Sequence, residues 1–174
     1  MIGKRQYIFT FLALLALQIV IGNYLNLSQF AVLCWLPVMI MSLPVTFSTV
    51  LTMVVAFATA FTADFFTHGV LGLSIVPLLV VAFARNFIIR LVFGTELLSR
   101  REDISIPKQG IGKVALATFI ATAIFFLIYI PVDAAGTRST SFLLIRGALS
   151  TAISTAVSIF VAGVLSPREA ERWK

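Results

Sequence analysis

Charge is the scarcest property of this sequence. Of 174 residues, 13 are Lys or Arg and seven are Asp or Glu, so charged residues make up 11% of the chain. Soluble domains carry about 25%. A chain this poor in charge cannot cover a water-facing surface, and its surplus apolar area must face something apolar, by default lipid. There is one cysteine, Cys34, which excludes an internal disulfide, and one thiol does not build a metal site. Cys34 lies in an apolar run and reads as a small core side chain. There is one histidine, His68. H-E-x-x-H, a phosphate-binding G-x-x-x-x-G-K-[ST] loop and G-x-G-x-x-G are all absent, so the common zinc-protease and nucleotide-binding chemistries are excluded.

What is present is apolar. Hydrophobic residues are 60% of the chain and the mean hydropathy is +1.06. At roughly 20 residues per crossing, the length holds about five to seven helices and a single transmembrane domain over residues 1–174. The net charge of +6 does not point to nucleic acid, because the basic residues cluster between apolar runs, where membrane proteins keep them. Lys4 and Arg5 precede the apolar run Tyr7–Ile21, but no small-residue cleavage site follows, so this run is read as an uncleaved first span rather than a signal peptide.

Six spans are expected: Tyr7–Gly22, Phe30–Leu43, Thr46–Phe65, Val70–Phe93 with a kink at Pro77, Lys113–Ile130 ending at Pro131, and Phe142–Leu165. Thr95–Gly112 reads as a polar loop and Ser166–Lys174 as a charged tail. The second span is the shortest: about 14 residues rise only ~21 Å as a helix. Charge arithmetic supports it. Six spans put nine cations on one side, namely Lys4, Arg5, Arg100, Arg101, Lys108, Lys113, Arg168, Arg172 and Lys174, and only Arg138 on the other. Merging spans two and three would separate the first two clusters. The expected architecture is therefore an all-α bundle of six transmembrane helices with both termini cytoplasmic. Small residues punctuate the third, fifth and sixth spans: Ala56, Ala58 and Ala60; Ala117 and Ala121; Gly147, Ala148 and the Ser/Thr/Ala run Ser150–Ser158. They suit close helix packing, within the bundle or against another membrane protein.

No catalytic constellation emerges. His68 and Ser74 are close in sequence, but a Ser/His hydrolase needs them in hydrogen-bond reach with oxyanion donors, and a structural histidine is the simpler reading. Asp64 and Asp133 both sit at helix ends, unlike the paired buried carboxylates of an intramembrane aspartyl protease. No catalytic, cofactor-binding or metal-binding residue is expected. The candidate structural or partner-contact residues are the ionisable groups in or at the ends of spans: Asp64, Arg85, Arg90 and Arg146. Arg90, at the end of its span, is expected to snorkel. Arg85 lies one and a half turns deeper with no acidic residue of its own half of the membrane in view, so carbonyls, a lipid phosphate or another subunit are expected to satisfy it. Asp64 and Arg146 fall at similar depth and are expected to pair. The competing readings are that Asp64 caps the next helix, that Arg146 reaches water alone, or that Asp133 takes Arg146.

The run Ala60-Phe61-Thr62-Ala63-Asp64-Phe65-Phe66-Thr67-His68-Gly69-Val70-Leu71-Gly72 carries a D-x-F-x-x-x-x-x-G pattern, followed by Val81-Ala82-Phe83-Ala84-Arg85-Asn86-Phe87-Ile88-Ile89-Arg90. With Phe142-Leu143-Leu144-Ile145-Arg146, the length, the six-span layout and the basic tail, the chain resembles the bacterial rod shape-determining protein MreD family, most of all its Bacteroidetes-type members. The resemblance implies a non-enzymatic subunit of the cell-elongation machinery in the bacterial inner membrane. It implies MreC as direct partner, and through it the peptidoglycan polymerase and transpeptidase and, indirectly, actin-like MreB. Membrane lipids, not nucleic acid, surround such a subunit, and no cofactor is implied. The family's fold also resembles the substrate-binding subunits of energy-coupling-factor transporters, which makes vitamin or metal uptake the alternative. That alternative needs a ligand site of convergent polar or aromatic groups. The expected outer loops are short, and Asp133–Ser141 holds no aromatic residue. Coupling subunits of that kind also dock on small residues four apart in the first helix, whereas Ala13 and Ala16 are three apart.

Overall fold

The computed structural model describes residues 2–24, 31–67, 71–99, 103–104 and 106–165. All their elements are helices: α1 (Ile2–Tyr24), α2 (Leu36–Met41), α3 (Thr49–Thr67), α4 (Ile75–Phe93), α5 (Thr95–Ser99), α6 (Ile106–Gln109), α7 (Ile111–Ala134) and α8 (Thr140–Leu165). Five of these, α1, α3, α4, α7 and α8, are long and apolar enough to cross a membrane. Their outward faces carry large apolar side chains, among them Phe9, Phe57, Phe65, Phe83, Phe87, Leu127 and Phe160, while Thr52, Thr59, Thr118, Thr122, Ser150, Ser154 and Ser158 point inward. Apolar outside and small or polar inside is the build of a helical membrane protein. The inward threonines use their hydroxyls on the carbonyl one turn back: Thr59 donates to Val55 O at 2.7 Å, Thr118 to Val114 O at 2.7 Å and Thr122 to Thr118 O at 2.8 Å.

α1 and α3 run side by side in the same direction. At the end where α1 begins, called here the near end, Tyr7 Oη donates to Ser42 O, just before α3, at 3.0 Å. At the far end Asn23 Nδ2 donates to Phe66 O at 2.9 Å. The helices touch closely there: a Cβ added at Gly22 would lie 2.6 Å from Thr67 Cγ2. α4 returns antiparallel to α3, with Asn86 Nδ2 bound to Thr49 Oγ1 at 3.0 Å at the near end. α7 and α8 form the next antiparallel pair, turning at Ala135 (φ 45°) and Gly136 (φ 74°).

The expected second helical span, Phe30–Leu43, is not one helix. Only Leu36–Met41 is helical, and residues 32–35 have no regular structure. Two prolines explain this. In a longer helix the Pro37 ring would clash with the carbonyl of Leu33, so the helix cannot extend back through that turn. Pro44 disfavours the helical conformation at Leu43, so α2 ends at Met41. This broken segment is the centre of the molecule. Leu36 to Met41 are all buried, with Met39 and Ile40 at 0% exposure, and α2 touches α1, α3, α4, α7 and α8. Around it pack Leu78, Val81, Ile88, Ala117, Ala121, Phe125 and Phe126. Non-helical backbone at membrane depth is tolerated only when shielded from lipid in this way.

Other expectations shift in detail. Pro77 does not kink a long span, because α4 begins at Ile75 and Pro77 lies in its first turn, where no N–H is needed. Conversely α7 runs through Pro131 to Ala134, beyond the expected end. The expected loop Thr95–Gly112 contains α5 and α6, and its Leu97 is buried. Of the small residues, Ala56, Ala60, Ala117, Ala121, Ser150, Ser154 and Ser158 face the interior, whereas Ala58, Ala148, Ala152 and Ala156 are exposed.

Candidate functional site

The polar chemistry of the described residues concentrates on holding the chain's own irregular backbone. The non-helical stretch 32–35 finds its hydrogen-bond partners on side chains of the flanking helices. On the α8 side, Val32 N–H donates to Ser150 Oγ at 2.9 Å and Cys34 N–H to Ser154 Oγ at 3.0 Å, while Ser154 Oγ donates to Val32 O at 3.2 Å. On the α1 side, Gln18 Nε2 donates to Leu33 O at 3.1 Å and Gln18 Oε1 accepts Trp35 N–H at 3.0 Å. Even residues turn to α8 and odd ones to α1. Trp35 Nε1 adds a bond to Leu14 O at 3.3 Å. These contacts strap α1 to α8 across the centre of the bundle.

Nearer the near end, a second cluster holds the C-terminal end of α2 and the residues after it. Arg85, 1% exposed, donates from Nε to Met41 O at 3.3 Å and from Nη2 to Leu43 O. Tyr7 takes the intervening Ser42 O. Three successive carbonyls at a helix C-terminus, the negative end of its dipole, are thus met by a cation and a hydroxyl. Val45 N–H donates to Asp103 Oδ1 at 2.9 Å, and Gln109 Nε2 donates to Asp103 O at 3.4 Å. Arg85 Nη1 is buried and has no hydrogen-bond partner among the described residues. Of the readings open for Arg85 in the sequence, carbonyls are the ones the structure places around it.

At the far end the expected Asp64–Arg146 pair is replaced by both of its rivals. Asp64, 1% exposed, turns back on its own chain: its carboxylate accepts Gly72 N–H at 3.1 Å and Ser74 N–H at 2.9 Å, tying the end of α3 to the start of α4. Gly72 has φ +105°, a conformation side-chain-bearing residues rarely adopt. Asp64 and Gly72 in the D-x-F-x-x-x-x-x-G pattern are therefore a carboxylate and the turn it folds. Arg146 Nη1 pairs with Asp133 Oδ2 at 2.7 Å across the α7–α8 hairpin. With its carboxylate already filled by backbone donors, Asp64 has no reason to reach α8. Arg90 is exposed in the last turn of α4, as a snorkelling residue should be. His68 lies outside the described residues, and Ser74 N–H is committed to Asp64. Among the described residues no group of three or more His, Cys, Asp or Glu is placed to hold a metal.

Gln18, Ser150, Ser154 and Asp103 are the site residues that sequence reasoning passed over. A lone glutamine inside an apolar span and serines repeating every four residues were visible signals. Asp103 carried none, since it sat in a stretch read as a loop. Compared with family models, with curated proteins and with solved structures, the chain matches none of them.

Proposed function

We propose that this chain is a non-enzymatic, multi-pass scaffold subunit of the bacterial cell-elongation machinery in the inner membrane, working through a complex with an MreC-type partner. In this reading the chain crosses the membrane six times, with both termini cytoplasmic. α1 and α3 run in the same direction, so the chain between them has to return, and segment 31–48 is the stretch available: Trp35 meets Gln18 midway along α1, while Ser42 meets Tyr7 at its near end. The near end then carries Lys108 and Lys113, and the far end carries Arg138.

One observation carries the scaffold reading. Asp64 and Arg85, residues on which the family resemblance rests, turn to backbone groups of their own chain: the Asp64 carboxylate takes Gly72 and Ser74 N–H, and Arg85 Nε and Nη2 take Met41 O and Leu43 O. A transport subunit needs polar groups left over for its ligand, whereas a scaffold needs a rigid shape. At the far end Asp133 pairs with Arg146 Nη1, and the Arg138 guanidinium lies 5.2 Å from the Phe142 ring centroid. Affinity purification of the tagged chain in mild detergent tests the proposal. An MreC-type bitopic protein should co-purify at near-stoichiometric yield. Micromolar or tighter vitamin binding by the purified chain, with no such partner recovered, would replace the scaffold by the transport subunit.

A further inference from the structure

We infer that Asp103 is the counter-ion of Arg85 and that the two form a charge latch joining the near-end connection to the broken central segment. A guanidinium with 1% exposure is costly in an apolar interior unless an opposite charge is close. Its carbonyl partners, Met41 O and Leu43 O, supply dipoles but no charge. Asp103, outside the helices, holds the same stretch of backbone: its Oδ1 accepts Val45 N–H at 2.9 Å, two residues beyond the Leu43 carbonyl that Arg85 holds. Gln109 grips the Asp103 carbonyl from α6. Ile104 and Ile106, just after it, pack against the core, and Leu97, before it in the chain, is buried. Arg85 Nη1 keeps unused donors in this cluster.

The latch joins four parts of the chain: α1 through Tyr7, α4 through Arg85, the near-end connection through Asp103, and residues 41–45 in the middle. Releasing Asp103 frees Val45 N–H and leaves Arg85 without its counter-charge. The loosened stretch is the lower part of the same segment whose upper part is strapped to α1 and α8. An event at the near face thereby gains a handle on helix packing at the centre of the bundle.

The test separates charge from hydrogen bonding. Val45, 9% exposed, is replaced in the full chain by Val45→Cys, and the rate of its modification by a membrane-impermeant maleimide is measured in inside-out vesicles, with Thr46→Cys, at an exposed position, as the accessible control. Asp103→Asn keeps the Oδ1 acceptor for Val45 N–H and removes only the charge. The latch predicts that Val45→Cys reacts at least about tenfold more slowly than the control, and that adding Asp103→Asn removes most of that protection. Protection unchanged by Asp103→Asn but lost in Asp103→Ala would mean that the hydrogen bond alone holds the segment, and would overturn the latch; protection unchanged by both would do the same. Cys34, 6% exposed, is the built-in fold reporter and must stay unmodified. Should Asp103→Asn unfold the chain by that criterion, Asp103→Glu, which keeps the charge, decides: retained protection supports the latch and lost protection overturns it. The inference uses the proposed orientation only in the choice of vesicle. If the orientation were reversed, Thr46→Cys would be modified from the other side before Asp103 is touched.

Discussion

Gln18→Leu removes the α1 half of the central strap and nothing else of similar consequence. Gln18 is 7% exposed and its amide serves two backbone groups at once, Leu33 O and Trp35 N–H. Leucine offers neither partner; Trp35 N–H stays buried and Leu33 O half-buried. Each orphaned group costs about 1–3 kcal/mol, or about 2–6 together. The added apolar contact of leucine returns about 1 kcal/mol, and interhelical hydrogen bonds in membranes tend to the low side of such ranges. A net loss of about 2–4 kcal/mol is expected, a fall of about 5–15 °C in the melting temperature for a chain of this size. Thermal unfolding of the purified protein in mild detergent, followed by Cys34 becoming reactive, measures it. Leu17→Met, on the exposed face one residue away, should change the midpoint by less than about 2 °C. If Gln18→Leu melts with the parent, the non-helical segment does not depend on side chains for its hydrogen bonds, and the account of the strap is wrong.

The α8 serines should separate by partner. Ser154→Ala strands Cys34 N–H and should cost about 1–3 kcal/mol, whereas Ser158→Ala removes a fully buried hydroxyl that has no partner among the described residues and should be neutral or stabilising in the same melting assay. Gly72→Ala, at φ +105°, should cost about 1–2 kcal/mol although nothing lies within 4 Å of the added methyl, and a melt matching the parent would deny the strained turn. A double-mutant cycle on Asp133→Asn and Arg146→Gln should show coupling of about 0.5–2 kcal/mol, while Asp64→Asn with Arg146→Gln should be additive within about 0.5 kcal/mol; the reverse pattern would restore the Asp64–Arg146 pair.

Much of this was legible in the sequence because the bilayer is a demanding solvent. Runs of about 20 apolar residues had little choice but to become long helices, and α3, α4, α7 and α8 fall within a few residues of where they were expected. The ends of α2 were also written in Pro37 and Pro44, yet proline marks where a helix stops and not what the chain does next. The path of residues 32–35 depends on Gln18 and the α8 serines, over 100 residues away in the case of Ser150 and Ser154. Such non-local pairing leaves no periodic trace within the segment itself. In the sequence the charged residues can be matched by depth alone. Depth cannot distinguish Asp64, whose carboxylate is consumed by the turn it folds, from Asp133, which faces Arg146 across a hairpin. Asp103 was missed for a related reason: a loop residue was assumed to stay in water.

The most direct test of the account is the side of the membrane on which the two ends of the broken segment lie. Tyr24→Cys places a thiol at an exposed position (85%) at the far end of α1, and Thr46→Cys places one at an exposed position just before α3. Labelled separately with an impermeant maleimide in intact cells and in inside-out vesicles, Tyr24→Cys should react only from outside and Thr46→Cys only from inside. Labelling of both from the same side would make segment 31–48 a re-entrant loop, reduce the crossings to five, and contradict the six-crossing scaffold proposed here.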